Sequence, residues 1–78
     1  MKVRVRAYGF IAKRLGGDEV FELHEGATLA DLLTKVSERL GAFDLTQELI
    51  LVDGKAAKPD TPLRGGAEVR ILPTIVGG

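Results

Sequence analysis

The sequence predicts an α+β domain in which a mixed sheet packs on one main helix, and three observations predict it. Residues 2–8, KVRVRAY, alternate apolar and charged side chains at the period of a half-buried strand. Residues 28–41, TLADLLTKVSERLG, carry Leu29, Leu32, Leu33, Val36 and Leu40 as one helical stripe. That stripe needs an apolar surface to cover it, and the inward faces of the other extended segments are the surface available.

Taken in order, the first strand places Val3, Val5 and Ala7 on one face and Lys2, Arg4 and Arg6 on the other. GFIAKRLGG (9–17) is bracketed by glycines, with Ile11 and Leu15 one helical turn apart. A short helical turn is expected there, stopped by Gly16 or Gly17. EVFELHE (19–25) alternates again, with Phe21 and Leu23 inward. Glu22 on its other face is the expected cross-strand neighbour of the first strand's arginines.

In the main helix Thr28 is the cap, Asp31 takes the capping-box position three residues later, and Gly41 closes the helix. ELILVDGKAA (48–57) reads as a strand, the turn dipeptide Asp53-Gly54, and a short returning strand. PDTPLRGG (59–66) is turn-rich. AEVRIL (67–72) is the last strand, with Ala67, Val69 and Ile71 on one face and Glu68, Arg70 and Leu72 on the other. Pro73 ends regular pairing because it has no N–H to donate. The count is about five strands around one main helix, in a single domain spanning residues 1–78 with 73–78 as an extended tail.

Composition narrows the function. Eleven basic and eleven acidic residues cancel, so the broad positive field of a non-specific nucleic-acid binder is absent. No apolar run reaches membrane-spanning length and the opening residues lack a signal-peptide pattern, so the expected location is the cytoplasm. Without cysteine there is no disulfide, thiolate metal site or iron–sulfur cluster. His24 is the only histidine, which leaves no clustered metal site, and it reads as a strand-end residue. Ser37, the only serine, sits in the helix with no adjacent base to activate it. Gly16-Gly17 and Gly65-Gly66 lack the Lys-Ser/Thr of a phosphate loop. The sequence argues against a self-sufficient enzyme, and no catalytic residue is assigned.

Chemistry concentrates in the ending, ILPTIVGG (71–78). Gly77 and Gly78 have no side chains, so an extended tail can thread a slot that any Cβ would block. Residues 73–78 reach roughly 20 Å when extended. An α-carboxylate on Gly78 is ionised at neutral pH and is a poor electrophile until it is converted to something like an acyl phosphate. No side chain then shields its carbonyl from attack. Leu72 points away from the predicted core, and with Ile75 and Val76 it forms an apolar ridge leading to the tail, the candidate surface for a docking partner.

KVRVRAYGFIAKRLGG, ATLADLLTKVSERL and LILVDGKAAKPDTPLRGGAEVRILPTIVGG together resemble the β-grasp, ubiquitin-like sulfur carriers of the MoaD/ThiS family. Within that family the chain more closely resembles the MoaD type, the small subunit of molybdopterin synthase, and the resemblance covers essentially the whole chain. Family members more often have an aromatic residue where Leu72 stands and a second proline where Thr74 stands.

The resemblance implies that Gly78 is the modified residue. A ubiquitin-activating-type enzyme, MoeB-like, adenylates it using ATP and Mg²⁺. Sulfur from a persulfide, supplied by a sulfurtransferase or cysteine desulfurase, then displaces AMP to leave a C-terminal thiocarboxylate. A MoaE-like large subunit receives the tail, and the sulfur enters the dithiolene of molybdopterin, which holds molybdenum or tungsten. This chain itself is implied to bind no cofactor. Two relatives share the tail chemistry: the thiamine (thiazole) sulfur carrier of ThiS type, which usually has a tighter first link than GFIAKRLGG, and a ubiquitin-like modifier joined to lysines through Gly78. A plain interaction module that never uses the carboxylate is a further alternative, distinguished by its indifference to loss of Gly78.

Overall fold

Seven elements follow one another in the computed structural model, which describes residues 1–41, 44–45 and 48–74. They are β1 (Lys2–Ala7), α1 (Gly9–Leu15), β2 (Asp18–Glu22), α2 (Leu29–Arg39), β3 (Leu49–Val52), β4 (Lys55–Ala56) and β5 (Glu68–Leu72). The five strands form one sheet in the order β2-β1-β5-β3-β4. β1 and β5 run parallel, with Val5 opposite Val69 and Ala7 opposite Ile71. The β1–β2, β3–β5 and β3–β4 pairs are antiparallel, which makes the sheet mixed. This is the ubiquitin-like β-grasp, as expected from the sequence.

Alternation explains the core. Val3 and Val5 on β1, Val69 and Ile71 on β5, and Leu32 and Val36 on α2 are completely inaccessible to solvent. Ile11 and Leu15 of α1, and Leu45 and Leu63 from the connections, complete the same cluster. Every residue that the periodicity assigned inward is buried, and no polar or charged side chain joins them among the described residues. Burying each of the larger aliphatic side chains contributes about 1.5–3 kcal/mol.

α2 starts as its sequence requires. The Thr28 N–H donates to the Asp31 carboxylate at 2.9 Å, and the Asp31 N–H donates to Thr28 Oγ1 at 3.4 Å, the reciprocal capping box. The other early donors are satisfied from a distance. Leu29 N–H and Ala30 N–H donate to the carbonyls of Thr61 and Pro59 at 2.8 Å each. The turn-rich 59–63 segment therefore closes the helix N-terminus, and Leu63 N–H returns to the Ala27 carbonyl at 2.9 Å. Beyond α2, Gly41 has φ +83, the left-handed conformation that stops the helix.

The Asp53-Gly54 turn has positive φ at both residues, +49 and +85, as a type I′ hairpin demands. Asp53 also reaches sideways. Its backbone N–H donates to the Glu68 carbonyl and its carboxylate accepts from the Glu68 N–H, at 2.8 and 3.0 Å.

Two details of β2 differ from the sequence expectation. The strand ends at Glu22 rather than running to Glu25, with one further backbone bond beyond it, from Leu23 N–H to the Met1 carbonyl at 2.8 Å. His24 lies outside the β1–β2 register, which runs from Lys2 opposite Glu22 to Arg6 opposite Asp18. The same register places Glu22 opposite Lys2 instead of an arginine, with Val20 opposite Arg4 and Asp18 opposite Arg6. The carboxylate facing an arginine is therefore that of Asp18, with Oδ1 3.4 Å from Arg6 Nε.

Candidate functional site at the root of the tail

β5 is the central strand of the sheet, and its C-terminal end delivers the chain to the surface at Leu72, Pro73 and Thr74. Ile75, Val76, Gly77 and Gly78, all sequence-assigned site or ridge residues, lie outside the described residues.

Leu72 occupies the face away from α2, as its alternation with buried Ile71 requires, and is half-buried. Its neighbour across the antiparallel pair is Leu49, which is 44% exposed. On the parallel side the register continues one residue past Ala7–Ile71 to Tyr8, whose N–H donates to the Ile71 carbonyl at 3.2 Å. Tyr8 is extended and 36% exposed. Tyr8, just beyond β1, Leu72 on β5 and Leu49 on β3 thus form a row at the point where the tail departs. Phe10, at the start of α1, is a further exposed large apolar residue, at 45%. Leu72 was visible in the sequence as a candidate. Tyr8, Phe10 and Leu49 were not, although the alternation of KVRVRAY does place Tyr8 on the outer face.

The next row on this face is charged. Arg6 lies between Asp18, at 3.4 Å, and Glu68, at 3.6 Å, and Arg70 Nε donates to the other Glu68 oxygen at 3.0 Å. Asp18 foremost, then Tyr8 and Glu68, raise the Arg6 pKa above its already high ordinary value, so this guanidinium remains charged throughout the physiological range. Exposed pairs of this kind contribute little stability but give the apolar row a polar border.

The first residues of the tail are fixed on both sides. Thr74 N–H donates to Glu48 Oε2 at 2.8 Å. Pro73 lies against Gly9, whose φ is +61; a Cβ at residue 9 would stand 2.8 Å from Pro73 Cγ. Neither Glu48 nor Gly9 was singled out for this role from the sequence.

The other residues considered from the sequence lie apart from this site. His24 is exposed and its Nε2 lies 3.9 Å from the Asp31 carboxylate that also caps α2. Ser37 lies within α2. Among the described residues no group of three or more His, Asp or Glu side chains could hold a metal ion, and no helix is long and apolar enough to cross a membrane. A shallow groove bordered by Lys2, Arg4, Val20 and Glu68 lies toward the opposite end of β1 and β5 from the tail.

Comparison with known proteins agrees with the fold. A family model described as the ThiS family matches residues 5–78. No curated protein matches the chain. Among solved structures, a putative molybdopterin converting factor subunit 1 from Pyrococcus furiosus is 26% identical, with a TM-score of 0.82 over 96% of this chain and 99% of that one. A chain from the complex of subunits 1 and 2 of the molybdopterin-converting factor of Helicobacter pylori is 25% identical, with a TM-score of 0.71 over the full length of both. Small archaeal modifier protein 1 from Haloferax volcanii, at 19% identity, shares the fold with a TM-score of 0.83 over the full length of both chains.

Proposed function

The chain belongs to the ThiS family of ubiquitin-like proteins, and from that premise we propose that it is a sulfur carrier for molybdopterin synthesis, acting through a thiocarboxylate on Gly78. The observation that carries the reading is the Tyr8–Leu72–Leu49 row. It is an exposed apolar surface in an otherwise well-packed domain, placed where the chain turns toward Gly77-Gly78. A partner that covers this row receives the tail at the same time.

The chemistry proceeds in three balanced steps. A Gly78 carboxylate oxygen attacks the α-phosphorus of Mg-bound ATP on a MoeB-like adenylating enzyme, and pyrophosphate leaves. The terminal sulfur of a persulfide on a sulfurtransferase or cysteine desulfurase attacks the acyl carbon, and AMP leaves with the former carboxylate oxygen. A thiol then reduces the resulting acyl disulfide, freeing the thiocarboxylate and leaving a disulfide on the thiol partner. This chain supplies the acyl group and the docking surface, and the proteins that act on it supply the catalysis. The cytoplasm, where ATP is abundant, is the matching compartment.

The two-subunit converting factor of Helicobacter pylori supports a MoaE-like large subunit as the receiving partner. The seven-residue helix α1 supports the pterin destination over the thiazole one, whose carriers have a tighter first link.

Two measurements test the reading. Pyrophosphate exchange into ATP by the adenylating enzyme is expected to depend on this chain and to fall sharply with Gly78→Ala. Capture from source cells is expected to recover a pterin-synthase large subunit. Recovery of a thiazole synthase instead redirects the sulfur, and a ladder of lysine adducts makes the chain a protein modifier. Function that survives removal of Gly78 removes the carrier reading altogether.

A further inference from the structure

The sheet cannot direct the tail by its own hydrogen bonds, because Pro73 interrupts them. Thr74 supplies the first backbone donor beyond that gap, and its acceptor is a side chain, Glu48 Oε2 at 2.8 Å. Glu48 immediately precedes β3, and Leu49, the next residue, is paired with Leu72. The carboxylate therefore adds one further rung to the β3–β5 ladder after the backbone rungs have stopped. A charge-assisted bond from an N–H to a carboxylate is among the stronger rungs available.

On the β1 side, the Pro73 ring occupies the space that a side chain at residue 9 would need, and Gly9 has the left-handed φ of +61 that L side chains rarely adopt. The segment is thus held from both flanks within two residues of leaving the sheet.

We propose that Glu48 and Gly9 form a collar that aims the tail, with Glu48 as a positioning residue for delivery of Gly78 to the adenylating partner. The collar acts by direction. Residues 75–78 extend at most about 14 Å beyond Thr74, and over that length a swing of about 30° at the root displaces the tip by about 7 Å. A fixed root presents fewer wrong approaches to a narrow slot and leaves less chain to order on docking. Once the tail is threaded, the partner holds the glycines and the collar has no further part. Its loss therefore acts on capture rather than on chemistry. This inference rests on the carrier reading.

The experiment compares the wild-type chain with Glu48→Ala and Glu48→Gln. Glu48 lies outside the hydrophobic core, so both variants are expected to keep the wild-type melting temperature to within a few degrees. By water-exchange NMR, the Thr74 amide is expected to exchange at least several-fold faster in Glu48→Ala and to stay near wild type in Glu48→Gln, whose side-chain carbonyl still accepts. In steady-state adenylation, Glu48→Ala is expected to raise KM for the chain about 3–10-fold with kcat changed less than about 2-fold, and Glu48→Gln to restore most of the KM. Unchanged Thr74 exchange in Glu48→Ala shows that the rung does not exist, and an unchanged KM shows that it aims nothing; either overturns the proposal. A fall in kcat at constant KM also overturns it. Failure of the wild-type chain to be adenylated at all overturns the carrier reading and the collar's purpose with it, while the exchange measurement still decides separately whether the rung is present.

Discussion

In the proposed function Leu72 and Gly78 divide the site between them, one giving the surface and the other the reacting group. Leu72 is half-buried beside Arg70 on the outer face, so Leu72→Asp leaves the core untouched. The free domain is expected to stay folded by circular dichroism, while affinity for the adenylating enzyme falls tenfold or more by calorimetry, since a charge is placed at the centre of an apolar row. Affinity that does not change removes Leu72 from the interface. Gly9 makes the opposite kind of prediction. Gly9→Ala is expected to cost about 1–2 kcal/mol of stability from the left-handed backbone alone, read from denaturant unfolding, and to displace Pro73 as well. These two residues also differ in how far the sequence reveals them. Leu72 is assigned to the outer face by simple alternation with Ile71. Gly9 looks like an ordinary helix-flanking glycine, because its contact is with Pro73, 64 positions later, and no local pattern encodes that approach.

At the scale of elements, local chemistry fixes the strands and helices, while register fixes what each side chain meets. The α2 stripe, its capping box and the Asp53-Gly54 turn were legible because each depends on residues within a few positions of one another. The Glu22 expectation failed because facing residues depend on where β1 and β2 align, which α1 and the glycines after it decide. Leu49 was missed for the same reason: only its register against Leu72 places it in the row. Two substitutions test the energetic account of α2. Thr28→Ala removes one half of the capping box and is expected to destabilise by about 1 kcal/mol. Leu32→Ala opens a cavity where the side chain is completely inaccessible, and about 2–5 kcal/mol is expected. Urea titrations measure both. A Thr28→Ala effect as large as that of Leu32→Ala would mean that the 59–63 segment, which binds the next two helix N–H groups, depends on the cap for its own position.

The whole molecule separates two tasks across one sheet. One face packs α2, α1 and the connections into a continuous apolar core, and the other carries charged pairs followed by the Tyr8–Leu72–Leu49 row at the end where the chain departs. A central strand is a secure place from which to launch a tail, because pulling on β5 loads its hydrogen bonds to both β1 and β3. The mixed sheet on one helix and the outer-face position of Leu72 were foreshadowed by periodicity, whereas the collar was not, because it joins Glu48 to Thr74 and Gly9 to Pro73 across the folded sheet. The central claim is that this scaffold presents Gly78 as an acyl group for other proteins to activate. The most direct test is the intact mass of the chain after incubation with its adenylating enzyme, Mg-bound ATP, a persulfide donor and a thiol reductant. The account predicts a gain equal to the exchange of one oxygen for one sulfur, localised to Gly78 by fragmentation and absent when ATP is withheld. An unchanged mass, with the enzyme demonstrably adenylating this chain and the donor demonstrably loaded, would contradict it.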